Sequence, residues 1–268
     1  MAAPSPHAGH YGTVPLVPGA EPLPELDIPP PGRQNRAAVL LRLLLLLPHA
    51  VVLLVLSLAT FFVAIGAWCA ALLLGRLPDP TERWLGGFLR YDTRVNAAAM
   101  LLTGRYPPFE LAERSGYPVQ VRLHSTALNR AAVLFRLLLV IPAALVSALA
   151  TAGWWAVSFV SWLVVLALGR MPLPLFEATA AVLRYRMRLG AYVLLLTSSY
   201  PKRLFGDQGA ADAVLGTVRG PSATRPLFVG GVGKVLVGAF LVLGLAGWST
   251  NTLRSATPTE VATAVQSP

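Results

Sequence analysis

The side chains best suited to chemistry are few and scattered. The four histidines are His7, His10, His49 and His124, and none lies at ligand spacing from another histidine, a cysteine or a carboxylate. Cys69 is alone in an apolar run, so it closes no disulfide within the chain and reads as a small hydrophobe. No Gly-x-Ser-x-Gly elbow or phosphate-cradling loop occurs. Gly230-Gly231-Val232-Gly233-Lys234 lacks the P-loop spacing and leads into an apolar stretch, which reads as close helix packing. The expectation is therefore a chain that is not an enzyme, with no catalytic or metal-ligating residue and no cofactor.

The polar residues that do recur are arginines. Arg90 and Arg94 return as Arg184 and Arg188, and Arg42 returns as Arg136, all at an offset of 94. The same offset carries Asn35-Arg36-Ala37-Ala38-Val39-Leu40 onto Asn129-Arg130-Ala131-Ala132-Val133-Leu134. It also carries Pro48 onto Pro142, Trp68 onto Trp162, Gly75-Arg76 onto Gly169-Arg170, and Tyr106-Pro107 onto Tyr200-Pro201. The chain thus holds one unit twice.

The unit is a membrane unit. Of 268 residues, 55% are hydrophobic, and they are clustered. From Ala37 to Leu74 the only ionisable side chains are Arg42, His49 and Cys69. The stretch Ala131–Leu168 carries Arg136, and Val235–Trp248 carries no charge at all. The net charge of +10 is nearly all arginine and flanks these runs, as expected beside an anionic leaflet. A nucleic-acid partner would need a soluble basic module with stacking aromatics, and none is visible.

Seven segments follow. Residues 1–34 form a Pro-rich disordered tail, 35–110 the first repeat, and 111–128 a linker with a short strand. The strand, Tyr117-Pro118-Val119-Gln120-Val121-Arg122-Leu123, alternates with period two but has no evident partner. Residues 129–205 form the second repeat, 206–226 a loop, 227–249 a C-terminal transmembrane helix, and 250–268 a second disordered tail. The fold class is an all-α integral membrane protein, multi-pass in a bacterial cytoplasmic (inner) membrane.

Within each repeat an apolar run of about 38 residues would be about 57 Å long as one helix, against a bilayer core of about 30 Å. A hairpin turning near Ser57–Thr60 and Thr151–Gly153 resolves the mismatch and gives five crossings; a single tilted crossing per repeat is the other reading. A Gly-Arg-x-Pro break, residues 75–78 or 169–172, then leads into an amphipathic helix, Thr81–Leu102 or Leu175–Leu196. These helices are expected to lie in the interface, with Arg90, Arg94, Arg184 and Arg188 contacting anionic headgroups. Arg42 and Arg136 are expected to snorkel, and His49 to pack at its Pro break. Ala144, Ala148, Ala152 and Ala156 form a ridge of small residues, expected to receive the larger Leu54 and Leu58 of the first repeat. Tyr106-Pro107-Pro108-Phe109 reads as an aromatic stop at the headgroups.

Taken together, Leu47-Pro48-His49, Trp68, Gly75-Arg76-Leu77-Pro78, Leu101-Leu102-Thr103, Tyr106-Pro107-Pro108-Phe109 and Tyr117-Pro118-Val119 resemble the bacterial domain of unknown function family 4389, in two tandem copies. The resemblance covers about residues 35–205 and implies a membrane location without an assigned activity. Copy two departs from it where Ala143 replaces the histidine and Lys202-Arg203 replace Pro-Phe. The functional expectation is a scaffold or accessory subunit, bound to anionic lipid and to a protein partner or a second copy. The alternative is a lipid-binding or small-solute transport component using the groove between the repeats.

Overall fold

The computed structural model describes residues 23–114, 116–123, 130–207 and 222–256. Among these, two strands and seven helices form: β1 (Glu25–Asp27), α1 (Arg36–Leu40), α2 (Arg42–Leu74), α3 (Asp79–Ala99), β2 (Gln120–Arg122), α4 (Arg130–Ala156), α5 (Ser158–Leu168), α6 (Leu173–Val193) and α7 (Gly231–Ala256). The expectations for residues 1–22, 124–129, 208–221 and 257–268 lie outside the described residues.

Each apolar run continues as helix through the proposed turn. Residues 57–60 contain neither Gly nor Pro, and the Ser57 hydroxyl donates to the Leu54 carbonyl at 2.8 Å, a bond that leaves the helix intact. In copy two the Val157 N–H reaches Gly153 O (3.4 Å) and Trp154 O (3.2 Å), and Ser161 N–H returns to Val157 O (3.0 Å). That junction breaks the helix without reversing it. The five-crossing reading is therefore corrected. Among the described residues, three helices are long and apolar enough to cross a membrane: Arg42–Leu74, Arg130–Ala156 and Gly231–Thr250.

The Gly-Arg-x-Pro breaks form as the residue types require. Gly75 and Gly169 take φ of 72° and 68°, the left-handed cap that glycine adopts without a Cβ clash. Pro78 and Pro172 then stand at the caps of α3 and α6. Both of these helices end on a left-handed leucine, Leu101 or Leu195, and their next N–H groups bond back to Ala97 O and Ala191 O at 2.9 Å.

The two copies face each other about a pseudo-two-fold axis. The start of copy one meets the end of α5: Gln34 N–H donates to Gly169 O (2.8 Å), and Arg36 Nη2 to Ala167 O (3.0 Å). The reciprocal contact joins the other ends, where Arg130 lies against Gly75. α3 and α6 cross antiparallel at Asp92 and Arg186, which are equivalent positions at the offset of 94. The strands pair antiparallel with Leu26 opposite Val121, equivalent to within one residue of the same offset. A single pseudo-two-fold axis therefore runs through the strand pair and the α3–α6 crossing.

This arrangement supplies the partner of the linker strand. That partner is β1, inside the segment expected to be a disordered tail. β1 packs on α6 and β2 on α3, so each strand lies on the helix of the other copy. Leu26 and Ile28 are fully buried there. A strand thus precedes each repeat in the chain.

The amphipathic helices are also placed differently from expectation. α3 and α6 form the middle layer, between the strands and the long apolar helices, with Leu85, Leu89, Phe176 and Leu183 in the core. An interfacial helix would keep one face in lipid; these two are covered on both sides because the other copy supplies the second cover.

The alanine ridge does not join the copies through Leu54 and Leu58. Ala148 and Ala152 are exposed, Ala144 is half-buried, and Leu54 and Leu58 are 70% and 62% exposed. The buried face of α4 is Ala143, Ser147, Ala150, Gly153 and Trp154. It packs against α6 and, most extensively, against α7. Gly153 and Gly244 set that approach: a Cβ on either would overlap the carbonyl of Phe240 or Leu149. Spacing four fitted both faces of α4, and the presence of α7 decided which one was covered.

Candidate functional site

The paired arginines of the long helices anchor helix ends. Arg42 Nη1 donates to Ala98 O (2.8 Å) and Thr103 O (2.6 Å), and its Nη2 to Gln34 Oε1 (3.0 Å). Arg136 Nη1 donates to Tyr192 O at 2.8 Å, the equivalent carbonyl, and its guanidinium lies 4.2 Å from the centre of the Tyr192 ring. Both are buried. The expected snorkelling is thus replaced by capping. A fixed positive charge meets the carbonyl-rich end of α3 or α6, where the last C=O groups lack helical donors.

Arg94, Arg184 and Arg188 are buried rather than turned to headgroups, which corrects the expected lipid contact for these three. Arg94 donates to Ala112 O (3.3 Å) and Glu110 O. Arg188 donates to Pro24 O and Lys202 O, both at 3.1 Å. Arg184 pairs with Asp207 at 2.6 Å and donates to Arg203 O at 3.0 Å. The reason is topological: the strands and post-helix loops fold back over α3 and α6 and present carbonyls to these guanidiniums. Arg90 is half-buried beside a small cleft with Glu113, Arg114 and Gln120, and its Nε has no hydrogen-bond partner.

Charge tuning is concentrated around Asp207. Burial alone would raise its carboxyl; Arg184, the Leu227 N–H and Arg188 outweigh that and hold it below the usual carboxylate range. Burial, then the neighbouring Arg184, push Arg188 down to about 9, while Asp207 and Glu25 act the other way. The strand layer carries its own pairs, with Arg225 3.1 Å from Asp27 and 3.8 Å from Glu25. Glu177 accepts the Gly230 N–H at 2.8 Å, so Gly230-Gly231-Val232-Gly233-Lys234 becomes the start of α7 with a carboxylate at its positive end.

His49 is fully buried, and its Nδ1 lies 2.7 Å from the Tyr91 hydroxyl. Phe109 stacks on its ring, with centroids 3.9 Å apart and planes within 7°. Tyr106 lies against the same ring at 4.8 Å. Tyr106-Pro107-Pro108-Phe109 therefore closes over the first third of α2. The sequence held a signal for this contact that its reading passed over. Copy two loses the histidine to Ala143 and the phenylalanine to Arg203, the two positions that touch in copy one. Among the described residues, no group of three or more His, Cys, Asp or Glu is placed to hold a metal ion.

The interface between the copies is filled along the axis. Arg186 bonds to Asp92 (3.3 Å) and to Asn96 Oδ1 (2.7 Å), and Leu89 lies against Gly190. A small open cleft of about 50 Å3 lies instead within copy one, lined by Arg42, Arg105, Tyr106, Leu45 and Leu46.

The exposed large apolar residues gather on α1, α2, α4, α5 and α7, with charges in the layers above. This defines a membrane protein made of two strand-exchanged copies of one helical unit, related by a pseudo-two-fold axis. Residues 36–110 and 130–204, more than half of the chain, match the domain of unknown function DUF4389, and the chain belongs to that family. No curated protein and no solved structure is significantly similar to it.

Proposed function

We propose that the chain is a scaffold or accessory subunit of a membrane complex, without catalysis of its own, in the cytoplasmic (inner) membrane of a bacterium. The segregation of surfaces supports this reading. Long leucine-rich helices expose Leu43, Leu44, Leu58, Phe62 and Leu73, while the buried Arg94, Arg184 and Arg188 hold the strands and loops on the opposite side. Rigid polar layers on an apolar base suit a docking platform, in contact with anionic lipid below and a protein partner or second copy above. The full chain, extracted in mild detergent, should then retain a protein at fixed stoichiometry through size exclusion. Recovery of the chain with lipid or a small solute alone would refute the scaffold.

One observation favours a second reading, lipid binding. The cleft beside Tyr106 is lined by both Arg42 and Arg105 and by the apolar Leu45 and Leu46, the two kinds of surface that a phospholipid headgroup and its chain require. Copy two has Ser199 in place of Arg105, so the feature belongs to copy one. Loss of a co-purified anionic lipid from Arg105→Ala would support this reading.

A further inference from the structure

We propose that α2, and α4 with α5, lie along the membrane within one leaflet, and that the pseudo-two-fold axis stands on the membrane normal. The three layers are stacked on that axis. The strand pair crosses it at Leu26 and Val121, and the middle helices cross it at Asp92 and Arg186. For the long helices, the end contacts Arg36–Ala167 and Arg130–Gly75 put the axis about halfway along, near Leu54 in one copy and Ala148 in the other.

That stacking fixes the depth of the charges. If α2 and α4 crossed the bilayer, their midpoints would lie at its centre. Asp92, Arg186, Glu25, Asp27, Arg122 and Arg225 would then sit at the same depth, beside lipid. Charges in hydrocarbon are tolerated only when they face a bundle interior or water, yet Arg122 is exposed. With the axis along the normal, every one of these groups lies above the membrane. Length points the same way. α2 has 33 residues, about 50 Å, against a hydrocarbon core of about 30 Å.

The face left open is the one a leaflet would cover. The buried side of α2, Arg42, Leu46, His49, Thr60, Ala67 and Ala71, is turned to the middle layer. Leu44, Leu58 and Leu73, spread along the whole helix, are 63%, 62% and 76% exposed. At the midpoint the exposed groups are Leu54 and Leu58 in one copy and Ala148 and Ala152 in the other. The elements in contact with the leaflet are then the long apolar helices, not α3 and α6.

The test uses the full chain in native membrane vesicles, with Cys69→Ala as background. Arg33→Cys and Arg76→Cys mark the two ends of copy one, and Arg170→Cys marks one end of copy two. All three should react with an impermeant thiol reagent from the same side, at rates within about threefold. Reaction of Arg33→Cys and Arg76→Cys from opposite sides would overturn the proposal. A depth measurement gives an independent reading. An environment-sensitive label at Leu44→Cys, Leu58→Cys or Leu73→Cys should be quenched best by the same acyl-chain bromolipid at all three sites. Deepest quenching at position 58 with shallow ends would refute in-plane seating. A disulfide between chains at Leu58→Cys, with no bromolipid quenching there, would assign the face to a second copy and overturn the proposal equally.

Discussion

Asp92 and Arg186 are one position of the repeat seen twice, and the axis brings them face to face. Reversing one charge, Asp92→Arg or Arg186→Asp, should destabilise the protein, and reversing both should restore it. At 3.3 Å and an effective dielectric near 20, a unit pair would be worth about 5 kcal/mol. A third of the Arg186 side chain is open to solvent, which screens the pair to about 1–2 kcal/mol. A single reversal replaces that attraction with a repulsion of similar size, so the cost is about 2–4 kcal/mol. The double exchange should recover all but about 1 kcal/mol, because Asn96 then faces the carboxylate instead of the guanidinium. Tryptophan fluorescence during denaturation in mild detergent reads this directly. A double variant no more stable than the singles would mean that the two copies do not meet on an axis through these residues. The same comparison distinguishes the tandem chain from two identical units. In a strictly symmetric pair the position would meet its own charge, and one chain carrying both copies is free to make the two sides complementary.

Three further outcomes follow from the contacts. Asp207→Asn leaves Arg184 buried without its ion partner and should cost about 3–5 kcal/mol. Because the folded Asp207 titrates below its unfolded value of about 3.9, its contribution is present above that pH and is lost as pH falls through the folded value; the unfolding midpoint of Asp207→Asn should lack this acid-side loss. Arg42→Met and Arg136→Met should each cost about 1.5–3 kcal/mol by leaving the final carbonyls of α3 or α6 without a charged donor, with faster amide exchange at Leu101–Leu102 or Leu195–Leu196 as the local readout. Gly153→Val should separate α4 from α7 and cost about 1–3 kcal/mol, whereas Ala152→Val, one residue away on the exposed face, should change stability by less than about 0.5 kcal/mol; equal effects of the two would refute the assigned helix face.

The sequence alone determined the repeat, the membrane class, the family and most local punctuation. Those follow from short-range rules. Gly75 and Gly169 mark left-handed caps because other residues meet a Cβ clash there, and Pro80 and Pro174 sit in the first turns of α3 and α6, where their φ already fits and no N–H is needed. Even Tyr117–Leu123 could be read as a strand from its alternation alone. What it faced could not be read, because its partner lies 95 residues upstream in a Pro-rich stretch that looks like a tail until β2 pairs with it. The same limit misplaced the arginines. Arg94, Arg184 and Arg188 on an amphipathic helix look like lipid contacts, and only the loops folding back at residues 110–112 and 202–207 turn them inward. The alanine ridge at spacing four was real, but α4 carries small residues on two faces, and α7 chose the other one. The two-fold pairing of the two copies, the exchange of their strands and the burial of Arg94, Arg184 and Arg188 were decided by tertiary structure, because each depends on which distant surfaces exclude water together, and helical periodicity records only that a surface is apolar.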